Sequence, residues 1–232
     1  MLNQHNCFWD TSYDTEIEKL GTINRLPWVG NAYREQEMKI LILGESVYDW
    51  NPKEPGHIEK INSPLNLRIL HKNHALDFKR NSKFVRNIER AIYDKRKPTD
   101  EEKKSFWNSV SYHNLVTRVL KSKKHRPSYT DYYSGWCEFN KLIDLLDVNE
   151  VIVYGLEKEK IKSLIDFSER NNFTLEIVKL PEKVGRSYPR RIMIKKGIKE
   201  IKLLFIRHPS SYFSWKKWSP IIAQEIHYKK TI

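Results

Sequence analysis

A chain of 232 residues with 39% hydrophobic and 12% aromatic residues against 31% charged holds enough apolar material for a sizeable core under a polar surface, which excludes wholesale disorder. Its 42 Lys and Arg against 29 Asp and Glu leave a formal net charge of +13, the footprint of a polyanion binder such as a nucleic-acid protein, although a lysine excess that merely solvates the surface leaves the same count. Two cysteines, Cys7 and Cys137, exclude a disulfide framework, a Cys-only zinc site and an iron–sulfur cluster, and no run of apolar residues is long enough to cross a membrane, so the expectation is a reduced, cytoplasmic, monomeric protein without cofactor or metal.

Residues 1–30 are aromatic and polar without clear period and read as a packed N-terminal arm of a single domain spanning 1–232. The first thirty residues carry Asp10, Asp14, Glu16 and Glu18 and no apolar run like a signal peptide's. Met38 to Gly44 is a nearly continuous apolar run stopped by glycine, the pattern of a buried parallel strand. Helical periodicity marks Lys83–Asp94 and Asp100–Val110, the second with Thr99 as a cap and acids facing the helix dipole, and then Tyr132–Leu146. Val151-Ile152-Val153-Tyr154-Gly155 repeats the strand-then-glycine design and leads into a helical pattern from Leu156 to about Asn171. Leu175–Val178 and Arg191–Ile194 read as weaker strands, and Leu203-Leu204-Phe205-Ile206 as a third buried one.

Strands alternating with helices predict an α/β fold in three layers, α/β/α, around a mostly parallel sheet, with ligands at the carboxyl ends of the strands. The loops to inspect are therefore Glu45–Asp49, Gly155–Glu157 and Arg207–Ser214. The first, Gly44-Glu45-Ser46-Val47-Tyr48-Asp49, offers two carboxylates and a phenol on a turn that glycine allows to bend. The last, Arg207-His208-Pro209-Ser210-Ser211-Tyr212-Phe213, offers an imidazole beside a stiffening proline, then hydroxyls, then aromatics. Each loop alone is a common structural turn; together they form a candidate acid/base site.

At these two motifs the chain resembles the uracil-DNA glycosylase superfamily, whose members carry Gly-Gln-Asp-Pro-Tyr-His or Gly-Glu-Ala-Pro-Gly after the first strand and His-Pro-Ser-Pro-Leu after the last. The likeness covers about Leu26 to Ser219. Val151–Gly155 resembles the family's central strand, and Trp107-Asn108-Ser109-Val110 stands near its Asn-bearing segment. Ser46 departs from the pattern, since the most active uracil-removing members place a water-activating aspartate there, and Val47 replaces the motif's proline. Glu45 matches the glutamate of the second motif type.

The resemblance implies a metal-independent DNA glycosylase acting on an abnormal or modified pyrimidine, either uracil-like or a modified phage cytosine. Glu45, with Asp49 as a second carboxylate, would stabilise the cationic sugar and orient water, and His208 would donate to the leaving base. Gly44, Ser46, Tyr48, Asn108 and Asn114 would contact the base, the tyrosine crowding its C5 side. Because the nucleotide must leave the stack, Tyr212 or Phe213 would fill the hole. Ser210, Ser211, Arg207, Lys216 and Lys217 would hold flanking phosphates, as would Arg186, Arg190 and Arg191 within the stretch Lys183–Lys202, where eight basic residues face only Glu200. Two other readings remain open: a DNA-binding module of the same fold without hydrolysis, and an N-glycosidase of free nucleosides or nucleotides.

Overall fold

In a computed structural model, which describes residues 8–122 and 124–230, the elements in chain order are α1 (Asp14–Lys19), β1 (Trp28–Val29), β2 (Ile40–Tyr48), α2 (His57–Asn62), α3 (Asn66–Ala75), α4 (Lys83–Tyr93), α5 (Asp100–Ser109), β3 (Ser111–Leu120), α6 (Tyr129–Leu145), β4 (Glu150–Tyr154), α7 (Lys158–Arg170), β5 (Thr174–Lys179), β6 (Arg190–Lys196), β7 (Lys199–Ile206) and α8 (Trp215–Glu225). Cys7 lies outside the described residues. The strands form one sheet in the order β1-β3-β2-β4-β7-β6-β5. Its centre, β3-β2-β4-β7, is parallel, while β1 pairs antiparallel with β3 at one edge and β6 antiparallel with β7 and β5 at the other.

The period-two geometry of strands explains why the central runs are apolar at every position. Leu41, Leu43, Val151, Val153, Leu203 and Phe205 join one core with Trp136, Phe139 and Leu142 of α6 and Leu164 and Phe167 of α7. Their neighbours Ile40, Ile42, Ile152, Tyr154, Leu204 and Ile206 join the opposite core, with Ile88 and Ile92 of α4, Trp107 of α5 and Ile221 and Ile222 of α8. Helices thus cover both faces, as the alternation of strands and helices predicts. No helix among the described residues is long and apolar enough to cross a membrane.

Local signals set several boundaries. Thr99 closes a capping box on α5: its hydroxyl accepts from the Glu102 N–H at 3.2 Å and the Glu102 carboxylate accepts from the Thr99 N–H at 2.8 Å. Ser128 and Asp131 repeat the device on α6. Each box contributes roughly 1 kcal/mol and orients the helix that follows.

Three expectations change. The segment Glu45–Tyr48 is not a loop but the second half of β2, held straight by pairing with β3. That partner strand was not anticipated, because His113, Asn114, Thr117 and Arg118 interrupt its apolar pattern. The register slips between Ser46 and Val47, where β3 carries two extra residues, and such irregularities re-aim side chains at strand ends. Helix α8 was likewise not anticipated, and its Trp218, Ile221 and Ile222 face the sheet at helical spacing.

Candidate active site

The carboxyl ends of β2, β4 and β7 and the chain segments after them open into one cleft of about 1150 Å3, walled on its far side by α3 and the start of α4. Gly44, Glu45, Ser46, Tyr48, Asn114, Arg207, His208, Ser210 and Ser211 all line it, so the two motifs face a common space across β4. Gly155 makes the turn between β4 and α7 at φ +97°, and a Cβ there would stand 2.2 Å from the Glu157 carboxylate and 2.4 Å from the Lys160 ammonium. Only glycine lets those two charges approach the strand end.

Four charged side chains interlock at this point. Glu45, 3% exposed, accepts from Arg126 Nη2 at 2.8 Å, from the Tyr132 hydroxyl at 3.1 Å and from Lys160 Nζ at 3.4 Å. Lys160, buried, also donates to Glu157 at 2.8 Å and to the Tyr154 carbonyl at 2.5 Å. Arg126 completes the ring with 3.1 Å to Glu157 and 3.4 Å to the Tyr48 hydroxyl. Two carboxylates and two cations balance, which is the condition under which buried charge is tolerated. Burial works to raise the Glu157 carboxyl, but Lys160 and Arg126 outweigh it and hold the group below its ordinary range. Burial, with Glu45 and Glu157 beside it, drives the Tyr132 hydroxyl well up, so it remains a donor.

His208 sits across from this cluster. Burial foremost, with Lys160 and Arg126 adding to it against Glu157, pulls its pKa down to about 4. The Ser210 N–H points at Nδ1 from 3.2 Å, and the Ser210 hydroxyl lies 2.8 Å from the same atom. A ring nitrogen that accepts a backbone N–H carries no proton, so the neutral ring holds its hydrogen on Nε2. Tyr154 braces the ring edge-on at 5.5 Å. The result is a neutral imidazole with its Nε2–H unengaged among the described residues.

Asn114 lies directly opposite Gly44 in the β2–β3 register and is 8% exposed. Its Oδ1 accepts from the Tyr112 hydroxyl at 3.0 Å, which leaves its amide N–H groups without a partner among the described residues. A further set of orphans lines the same cleft: Arg25 Nε, Ser46 Oγ, both nitrogens of His71 and the Tyr154 hydroxyl are buried and unpartnered among the described residues. His71 is stacked on Tyr112 at 4.5 Å, and burial, with His74 and Arg86 adding to it, keeps it neutral. These groups come from β2, β4, α3 and the segment before β1, so unsatisfied polar atoms stand on several sides of the cleft.

Several expected site residues are elsewhere or differently employed. Asn108 is at the opposite end of β3, its carbonyl accepting from the Ala32 N–H at 2.8 Å. Asp49 does not line the cleft; its carboxylate accepts from the Asn51 N–H at 3.1 Å and lies 2.7 Å from His57 Nδ1, tying down the chain after β2. Phe213 stacks parallel on Trp218 at 5.7 Å and belongs to the core, whereas Tyr212 is 89% exposed at φ +51° with the Arg207 guanidinium 5.3 Å from its ring. Lys216 and Lys217 are exposed on the first turn of α8 and do not line the cleft. Arg207 does line it, donating to the Ser211 carbonyl and the Ser187 hydroxyl at 3.2 Å each.

The Lys183–Lys202 run is not a continuous basic strip. Arg191 pairs with Glu225 at 3.4 Å, Lys195 with Glu200 at 3.3 Å, Lys199 with Asp147 at 3.2 Å, Lys202 with Glu150 at 2.9 Å, and Lys196 with Asp144. Those lysines neutralise acids along β6 and β7 and around the end of β7 remote from the cleft; Arg186 and Arg190 have no ion pair among the described residues. Arg126, Lys160 and Tyr132 were not anticipated, while Glu157 falls within the expected loop Gly155–Glu157. The one legible signal was Glu157 and Lys160, three apart at a helix start just after a strand-ending glycine.

No protein-family model matches the chain, and no curated protein sequence matches it.

Proposed function

We propose that the chain is a DNA glycosylase of the uracil-DNA glycosylase superfamily that hydrolyses the N-glycosidic bond of an abnormal or modified pyrimidine and leaves an abasic site. The observation that carries this reading is the meeting of Glu45 and a neutral His208 with a free Nε2–H across one cleft. Breaking the bond sends its electron pair to the base while positive charge grows on the sugar. His208 Nε2–H would donate to the departing base, a neutral donor meeting developing negative charge, and the Glu45 carboxylate would face the cationic sugar. Water adds at C1′ and gives up a proton to a carboxylate of the cluster. Asn114 offers amide donors to an acceptor edge of the base, and Tyr212, exposed at the rim, would occupy the gap left in the stack.

The cleft of about 1150 Å3 has room for a nucleotide with its flanking backbone, and Tyr48 lines it, so the choice between uracil and a substituted pyrimidine rests with the substrate test below. A second reading, a DNA-binding module without hydrolysis, is favoured by one observation: Glu45 is engaged by three donors at once.

The test is abasic-site formation on oligonucleotides carrying uracil, 5-hydroxymethylcytosine or its glucosylated form. Cleavage of a modified pyrimidine, reduced about 100-fold or more in Glu45→Ala and His208→Ala, is expected. Salt-sensitive binding with no cleavage of any substrate would select the binding module instead.

A further inference from the structure

The three donors to Glu45 are not equivalent. Tyr132 and Lys160 are buried and approach from beneath, whereas the Arg126 side chain is 54% exposed and lines the cleft. A guanidinium fork fits a phosphate as well as it fits a carboxylate, so a phosphate gained at the exposed Arg126 would offset the contact it gives up to the buried Glu45. Glu45 would keep Tyr132 and Lys160 after such an exchange. Arg126 also ends a basic stretch between β3 and α6 that the composition-based reading passed over: Lys121 and Lys124 are exposed there and have no ion pair among the described residues. None of the eight basic residues of the Lys183–Lys202 run lines the cleft, whereas Arg126 does.

Resting on the DNA reading above, we propose that Arg126 is the phosphate-binding residue of the cleft, and that it takes a phosphodiester oxygen flanking the target nucleotide by leaving Glu45 and Glu157. Binding of the backbone and unmasking of the Glu45 carboxylate are then a single event. The occupant is a phosphodiester because the site sits at the mouth of a cleft whose floor presents donors suited to a base.

The experiment measures binding of a short labelled duplex bearing a tetrahydrofuran abasic-site analogue, a probe independent of the base removed, across a salt series. Arg126→Gln should flatten the plot of log affinity against log salt by about 0.9, one phosphate contact, and weaken binding about fivefold; Arg126→Lys should restore the slope. Glu157→Gln, which removes one anion competing for Arg126, should tighten binding about threefold in the wild-type background and have no effect beside Arg126→Gln. An unchanged slope in Arg126→Gln overturns the proposal, as does equal tightening by Glu157→Gln with and without Arg126, since that reports only a lost negative charge. Failure of the wild-type protein to bind the duplex at low salt overturns the DNA reading itself.

Discussion

Replacing Gly44 with alanine tests whether the cleft floor is as tightly built as its geometry indicates. The new Cβ would stand 2.5 Å from Asn114 Oδ1, 2.9 Å from the Tyr112 hydroxyl and 3.3 Å from a Tyr112 ring carbon. The strand cannot retreat, because β2 is paired on one side with β3 and on the other with β4. Tyr112 cannot yield easily either, since its ring is stacked on His71 at 4.5 Å and on Phe84 at 6.2 Å. Asn114 must therefore rotate and give up its 3.0 Å bond from Tyr112. Overpacking of about 1–3 kcal/mol and a lost buried hydrogen bond of about 1 kcal/mol give roughly 2–4 kcal/mol, or on the order of 5–12 °C in Tm for a chain of this size. Thermal unfolding followed by circular dichroism measures it, with Gly185→Ala as control: φ there is +62° and nothing lies within 4 Å of the added carbon, so it reports backbone strain alone. A Gly44→Ala protein that melts within about 1 °C of wild type would refute the packing argument, because the contact distances leave no gentler accommodation.

Acid should destabilise the fold well above the usual carboxylate range. Burial is the main cause holding His113 down at about 3, His208 at about 4 and His71 well below its ordinary value. Each is neutral when folded and takes a proton near pH 6.5 when unfolded, so their stabilisation is complete above that pH and is lost as pH falls toward 4. Glu89, raised by burial to about 7 despite Arg86 and Trp107, and Glu138, also raised by burial, work in the opposite direction, two carboxyls against these three histidines and His74, likewise lowered by burial. Urea midpoints at pH 7.5 and 5 should differ by the equivalent of a few kcal/mol, and a flat profile would contradict the assignment. Lys160→Met leaves Glu45 and Glu157 with only Arg126 between them and should cost about 3–5 kcal/mol, partly recovered by adding Glu157→Gln, as read by denaturant titration. Tyr212→Gly relieves a left-handed backbone and should stabilise by about 0.5–1 kcal/mol, and under the proposed glycosylase reading it should lower abasic-site formation at least tenfold. Phe213→Ala should instead destabilise by about 2 kcal/mol, and equal behaviour of the two variants would undo the distinction drawn between them.

Much of the architecture was legible because β2, β4 and β7 each carry an unbroken apolar run, Ile40–Leu43, Val151–Tyr154 and Leu203–Ile206, a pattern that burial on both faces produces. The capping residue Thr99 was equally readable, its bonds being local, whereas the Ser128 cap lies ahead of Tyr132, the start read for α6. Strand β3 was hidden because its polar residues serve the site: Asn114 faces the cleft, and Thr117 and Arg118 form the register slip. Helix α8 was obscured by lysines at Lys216 and Lys217, which are exposed on the face opposite its buried Trp218 and Ile222.

Sequence alone determined that apolar strands lead into Gly44-Glu45 and Arg207-His208, while the continuation of β2 to Tyr48 came from its pairing with β3. It also determined the net positive charge. Which charges are free was decided by tertiary structure: the conspicuous Lys183–Lys202 run is largely spent on acids brought in from α6, β4 and α8, while Arg126, unremarked in its own stretch, reaches Glu45 across 81 positions of chain. Electrostatic partners are chosen by distance in space, which no spacing along the chain encodes. The same holds for Tyr212 and Phe213, neighbours of like chemistry, of which Phe213 packs on Trp218 at the edge of the core while Tyr212 is left exposed beside cleft-lining Ser211.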